Sequence, residues 1–294
     1  MAGAREIQSR MKSIQDTKKI TSAMYMISSS KLKRAKVLLD AADDHFYAIQ
    51  NAIARMLRHF PDIEHPYFGH KVSDKENVRA AYIVVTADKG LAGAYNHNVI
   101  KLAQEQMGQS ENNTLYVVGE IGRHYFEHKK IKIDEQFRYT VQNPTIHRAR
   151  MIAVRMIELY KSGEVDEVHL IYTRMINSME SVAESYQILP LKKVKYELDL
   201  GMDVPDDMEY LPSPEAVLEN LVPNYATGLI YGALVEAYVS EHNARMMAME
   251  AATDSATSMI RELSVQYNRV RQGAITQEIT EVSSGAKAQK GKQQ

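Results

Sequence analysis

The run Ala87-Asp88-Lys89-Gly90-Leu91-Ala92-Gly93-Ala94-Tyr95-Asn96 joins a strand-like apolar segment to a helical one. In that setting the N–H groups of a helix N-terminus can hold a phosphate. The run matches neither G-x-G-x-x-G nor G-x-x-x-x-G-K-[ST], and Gly119-x-x-Gly122 is weaker still. A tight strand-to-helix turn is therefore its default reading. His124 and His128 sit four apart and share a helix face, but a zinc site needs at least a third ligand and no partnering cluster is visible. They read as solvated surface histidines. No G-x-S-x-G elbow is present to expose a nucleophilic serine.

Charge is the stronger signal. Residues 1–36 hold nine Lys or Arg against Glu6 and Asp16, a net of +7, whereas residues 197–219 hold eight acids and no Lys or Arg. A solvated helix face explains part of this. The functional readings are an RNA-binding arm or contact with an acidic protein surface. Nucleic acid is disfavoured because Tyr25 is the only ring in the basic stretch.

The whole chain bounds these readings. Its 294 residues have a formal net charge of −1, which excludes a uniformly basic nucleic-acid coat. It has no cysteine, so disulfides, thiolate metal sites and cysteine nucleophiles are excluded. No apolar run approaches the ~20 residues of a membrane span, and the N-terminus MAGAREIQSRMKS has no apolar leader. These features predict a soluble, intracellular, unprocessed chain.

Proline and glycine show which elements must position the candidate residues. All eight prolines lie between Pro61 and Pro223; Gly3 is the only glycine before Pro61, and neither residue occurs between Gly232 and Gly273. Their absence marks two long helices flanking a compact middle. Leu32, Ala35, Leu39, Ala42, Phe46, Ile49, Ile53 and Met56 alternate steps of three and four, a heptad seam. Extended backwards it passes Ser28, Tyr25, Thr21 and Lys18 before Ile14, Met11 and Ile7, so residues 18–28 form a polar interval. Small hydroxylated residues there predict smooth contact with another surface. From Ile7 to Met56 the helix spans about 75 Å.

Near the other end, Val235, Val239, His242, Met246, Met249, Thr253, Ala256, Ile260, Leu263, Tyr267 and Val270 form a second seam. Ser213-Pro214-Glu215 is a helix start signal, and Pro223 is expected to break or kink the helix early. The run from Asn224 to Ser283 spans about 90 Å. Joined through the middle, the two helices must run antiparallel. A seam rich in Met, Ala and Thr packs less tightly than a Leu seam and tolerates sliding.

The middle reads as α/β. Ala80–Thr86, Leu115–Gly119 and Val168–Thr173 are buried-strand runs, separated by helical stretches near 94–108, 121–129 and 145–162. Strand alternating with helix predicts a small parallel, Rossmann-like sheet. Ser181–Leu189 and Lys193–Leu198 are expected to add an edge hairpin. The expected organisation is a coiled-coil helix over 1–60, an α/β domain over 61–212, a second coiled-coil helix over 213–285 and a disordered tail over 286–294.

Both ends resemble a known family. KSIQDTKKITSAMYMISSSKLKRA at 12–35 is similar to the N-terminal signature of the γ subunits of F-type rotary ATP synthases. EHNARMMAMEAATDSATSMIRELSVQYNRVRQGAITQEITEVSSGA at 241–286 resembles their C-terminal signature, and DKGLAGAYN at 88–96 their loop after the first strand, where many members carry a cysteine in place of Ala92. The resemblance implies that the helices form a central shaft inside a hexamer of α and β subunits. It also implies that the α/β domain lies against the ε subunit and the c-ring. Proton flow would turn ring and shaft together, and the asymmetric shaft would drive ATP formation on β, or hydrolysis in reverse. The chain would then be a non-catalytic subunit without cofactor or metal, peripheral to a bacterial plasma membrane on the cytoplasmic side.

Carried onto this sequence, the resemblance puts Arg271 and Gln272 where the family's shaft hydrogen-bonds a loop of the empty β subunit, with Thr276 and Glu278 following. Arg245 and Thr276 match positions tied to energy coupling and shaft stability, and Met24 a position facing the acidic lever of β. These six are the expected rotor–stator contacts. The competing reading from the residues alone is an α/β nucleotide-binding protein whose coiled-coil arm grips RNA or a protein client. A weaker third is a purely structural tether.

Overall fold

A computed structural model describes residues 2–69, 78–108, 112–192 and 210–291. The elements in chain order are α1 (Ala2–His59), β1 (Ala80–Val85), α2 (Tyr95–Met107), β2 (Thr114–Val118), α3 (Glu120–His128), α4 (Ile146–Lys161), β3 (Glu167–Met175), β4 (Ser181–Leu189) and α5 (Pro214–Gly291). They form two compact units: Ser29–Arg245, and Met1–Ser28 with Met246–Gln294.

In the first unit the strands lie in the order β2-β1-β3-β4, with β1 parallel to both β2 and β3. The apolar run of β1 is continuous because the sheet is covered on both faces. Ala80, Tyr82 and Val84 pack with Val99 and Ile100 of α2 and Phe126 of α3. Ala81, Ile83 and Val85 pack on the other face with α4, with Ile53 and Met56 of α1, and with Leu218 to Ala237 of α5. This alternation is the two-residue period of a strand.

Ser181–Leu189 is a strand, but its partner is β3, to which it runs antiparallel. The sheet is therefore mixed, and the expected second arm at 193–198 lies outside the described residues. The short connection between Met175 and Ser181 explains the pairing, since adjacent antiparallel strands need only a hairpin while a parallel neighbour needs a crossover.

Ser213 caps α5 as its sequence signals, its Oγ accepting from Ala216 N at 3.3 Å. The expected break at Pro223 is absent, and the helix is continuous through it. Leu218, Val222, Tyr225 and Ala226 are all buried in the core around that proline. Packing offsets the ~3 kcal/mol cost of an internal proline. The helix also runs past 285 to Gly291; Ala286, Lys287, Ala288, Gln289 and Lys290 are all strong helix formers.

In the second unit α1 and α5 pair antiparallel: Thr21 Oγ1 meets Thr253 Oγ1 at 2.7 Å, and Tyr25 shares a groove with Glu250. The heptad seam is visible in burial, since Ile7, Met11, Ile14, Lys18, Tyr25, Thr21 and Ser28 are all shielded, the last two fully. The polar interval is thus a packed seam in which hydroxyls take the place of leucines.

Candidate functional site: an exposed helix end and a buried polar crossing

Carried along the pair, the register of Thr21 on Thr253 runs α1 out near residue 272 of α5. Beyond that point α5 has no partner helix among the described residues, and from Arg271 to Gly285 every residue but Ala274 is exposed. Arg271, Gln272, Thr276 and Glu278 all lie there. At ~100° per residue, Arg271, Ile275, Glu278, Ile279 and Val282 fall on one side of the helix, with Gln272 and Thr276 along its margin. Ile279 is 64 % and Val282 74 % exposed. Among the described residues Arg271 and Glu278 make no ion pair. One helix side thus presents a fork donor, a carboxylate and bare aliphatic carbon together.

Met24 is half-buried on α1, between Ile20 and Ile27, which are 61 % and 58 % exposed. Steps of four and three put these three on one outward stripe.

Arg245 is placed differently. It belongs to the α/β unit, is buried, and donates inward: Nη2 to Lys89 O at 2.8 Å and to Gly90 O at 3.1 Å, Nε to Gly90 O at 3.2 Å. Its Nη1 pairs with Glu241 Oε1 at 2.7 Å, one helical turn earlier. Within this chain the guanidinium is committed to the loop after β1 rather than offered outward. Arg245 and Arg271 thus stand in different environments on one helix.

Around Arg245 lies a buried polar segment that the sequence did not single out. Ser240, Glu241, His242 and Asn243 are all buried. Burial pushes the Glu241 carboxyl above its usual range, against the opposing pull of Arg245 and Lys31. Burial, with Arg245 and Lys31 adding to it, pushes His242 down to about 3, so its ring is neutral; the ring packs edge-on against Tyr238. Asp88 Oδ2 accepts from Thr140 Oγ1 and from Gln142 N, and Gln142 Oε1 accepts from Lys31 Nζ. The legible signal for this segment was Glu241 four residues before Arg245, directly after a stretch apolar all round.

The two glycine-bearing motifs resolve as packing. In the loop after β1, Leu91 has φ 63° and Gly93 φ 55°, a tight turn, while Ala92 packs with Ala87, Tyr95 and Ala244. A Cβ on Gly119 would stand 2.2 Å from Thr86 O, so the chain needs glycine there. The first turn of α3 is already occupied: Gly122 N donates to Thr86 Oγ1 and Ile121 N to Ala87 O. A nucleotide would bind at the carboxyl edge of the parallel strands, where Ser240 of α5 donates to Thr173 O of β3 and Arg245 to Lys89 O and Gly90 O after β1. His124 lies 4.0 Å from both Glu120 and Glu127, and no metal-binding group occurs among the described residues.

Two long terminal helices, one ending in a bare amphipathic tip, with a mixed α/β domain inserted between them in the chain, define a helical-hairpin protein. A family model described as ATP synthase matches residues 3–289. The ATP synthase gamma chain of Ruminiclostridium cellulolyticum is 42 % identical, over 97 % of this chain and 98 % of that protein. That of Acetivibrio thermocellus is 41 % identical, over 99 % and 100 %. The sodium ion specific gamma chain of Acetobacterium woodii is 35 % identical, over 96 % and 97 %. Among solved structures, the central stalk and c-ring of the Tetrahymena thermophila mitochondrial ATP synthase contains a chain matching at TM-score 0.60 and 25 % identity, over 79 % of this chain and 99 % of that one. A chain of the Euglena gracilis enzyme shares the fold at TM-score 0.66 and 15 % identity, over 98 % and 94 %. This chain belongs to the ATP synthase gamma-chain family.

Proposed function

We infer that this chain is the central shaft of a rotary ATP synthase, turning inside a ring of three α and three β subunits. Its α/β domain is carried on the ε subunit and the c-ring. Nucleotide chemistry takes place on β with α contributing, and this chain is the non-catalytic transmission element. The observation that carries the reading is the tip of α5: beyond residue 272 it has no partner helix among the described residues, yet it presents Ile275, Ile279 and Val282 beside Arg271 and Glu278. Isolated exposed aliphatics are ordinary, but an aligned stripe marks a surface covered by another molecule.

Arg271, Gln272, Thr276 and Glu278 at the tip, and Met24 on its outward stripe, are the groups that meet the ring. These contacts must be individually weak because each is broken and remade through every turn; a contact strongly favouring one orientation would trap it. The basic N-terminal helix suits an acidic partner surface on β. The transported ion is selected in the c-ring, with protons the expectation from sequence, and this chain carries only the torque. Bacterial relatives, together with the finding that no described helix is long and apolar enough to cross a membrane, support a peripheral place on the cytoplasmic side of a bacterial plasma membrane.

The test is recovery of a tagged copy from host membranes, with native mass spectrometry and ATPase assay on the same sample. The expected result is one copy with three α and three β subunits. A free monomer or homodimer carrying its own nucleotide would overturn the reading.

A further inference from the structure

Beyond α1 the chain makes a short 3₁₀ turn, Pro66–Phe68, and the residue that caps it is a histidine. Tyr67 N donates to His65 Nδ1 at 3.3 Å, and Phe68 N to His65 O at 3.0 Å. Ser, Thr, Asp and Asn are the preferred caps; an imidazole differs from them in that its acceptor nitrogen takes up a proton near neutral pH. The turn is also a junction. Tyr160 Oη, at the end of α4, donates to Pro66 O at 2.8 Å, and Leu191 N, just past β4, donates to Tyr67 O at 2.7 Å. Tyr67 Oη donates to Glu219 Oε2 of α5 at 3.3 Å. Because β4 ends beside the start of β3, these ties gather at the amino edge of the parallel strands.

With Nδ1 accepting, the neutral ring carries its proton on Nε2, which stands 3.4 Å from Glu219 Oε1 in a side chain only 6 % exposed. A second proton must therefore enter at Nδ1, where it would face the Tyr67 N–H, donor against donor. Glu219 does not relieve that clash, because its carboxylate lies on the Nε2 side and is held by Lys161 Nζ at 2.5 Å. Burial is the largest influence on the ring and opposes the second proton. Glu219 favours it, Lys161 of α4 opposes it and Glu215 of α5 favours it, and the balance leaves the pKa below the usual 6.5. The Tyr67 ring, its centroid 4.8 Å from that of His65, stays neutral because burial raises its own pKa.

We propose that His65 is a proton-operated clasp: the neutral ring closes the 65–69 turn on α4, α5 and the chain after β4, and protonation at Nδ1 opens it. The charged ring loses the Tyr67 N–H and is better solvated in water than in the closed turn. The closed state is thus favoured in full above the ordinary histidine pKa, and its advantage is lost as pH falls from there toward the depressed value.

The test is amide hydrogen exchange by mass spectrometry on the full chain between about pH 7.5 and pH 5, each rate divided by the intrinsic rate at that pH. Protection of Tyr67, Phe68, Gly69 and Leu191 should fall severalfold further with acid than that of β1 in the same unit. His65→Asn caps the turn with an oxygen that takes up no proton, and should bring the two falls level. Lys161→Met removes the cation that opposes protonation, and should move the excess fall to higher pH. Level falls in the unaltered chain, or an excess that persists in His65→Asn, would overturn the clasp. Should His65→Asn fail to fold, Lys161→Met decides the matter, since an excess fall at unchanged pH would overturn it too. The same amides are read whether the chain is recovered in a complex or alone, so the outcome does not depend on the rotor reading.

Discussion

Burial of His242 ties the stability of the α/β unit to pH. Its folded-state pKa is pushed down to about 3 from an ordinary 6.5, by desolvation first and then by Arg245 and Lys31. The unfolded chain therefore takes up this proton below about pH 6.5 while the folded chain does not. Stability from the neutral ring is full above 6.5 and is lost as pH falls toward 3. Glu241 acts in the opposite sense: with its pKa raised, the folded chain keeps that proton longer, and its contribution declines as pH rises through the shifted value. Comparison with His242→Leu isolates the histidine. Between about pH 7 and pH 5 the urea midpoint of the unaltered chain should fall more steeply than that of the variant; parallel slopes would contradict a neutral buried ring. The sequence showed His242 at a seam position but not that it is neutral, because that depends first on its burial in the folded unit and then on Arg245 one turn along and Lys31 of α1.

At the scale of the element, the hydroxylated interval of α1 is a specific pairing device. Thr21 Oγ1 and Thr253 Oγ1 stand 2.7 Å apart across the seam, and with one proton each, one hydroxyl donates to the other while its partner donates back to its own helix, at Lys18 O or Met249 O. A buried polar pair at seam positions fixes register at some expense of stability. Changing either threonine alone to valine should destabilise by about 1 kcal/mol, since it strands the other hydroxyl's cross-helix bond, while the double change should cost less than the sum. A double-mutant cycle by chemical unfolding measures this coupling, and strictly additive singles would contradict it. Both threonines were legible as seam residues from spacing alone. The strands were equally legible, because a sheet covered on two faces writes unbroken apolar runs such as Ala80–Val85. The pairing of β4 with β3 was not, since alternation within a strand does not name its neighbour. Neither was the continuity of α5 through Pro223, where tertiary packing outweighs local propensity.

For the whole molecule, the division of labour follows from where polar groups are satisfied. Asp88, Glu241 and Arg245 are turned inward on the α/β unit, where Arg245 bonds α5 to the loop after β1. Arg271 and Glu278 are left outward at the tip of α5. The resemblance put Arg245 and Arg271 together as expected contacts, and burial separates them within this chain. On the proposed reading, the open tip is where the chain is gripped and turned. Rotation is therefore the claim to test. With no native cysteine, His124→Cys on the exposed face of α3 takes a single optical probe, and the complex is fixed to a surface through its β subunits. On addition of ATP the probe should turn in one direction in discrete steps, and stop when ATP is withdrawn. A probe that stays fixed relative to β while the same complexes hydrolyse ATP would contradict the account.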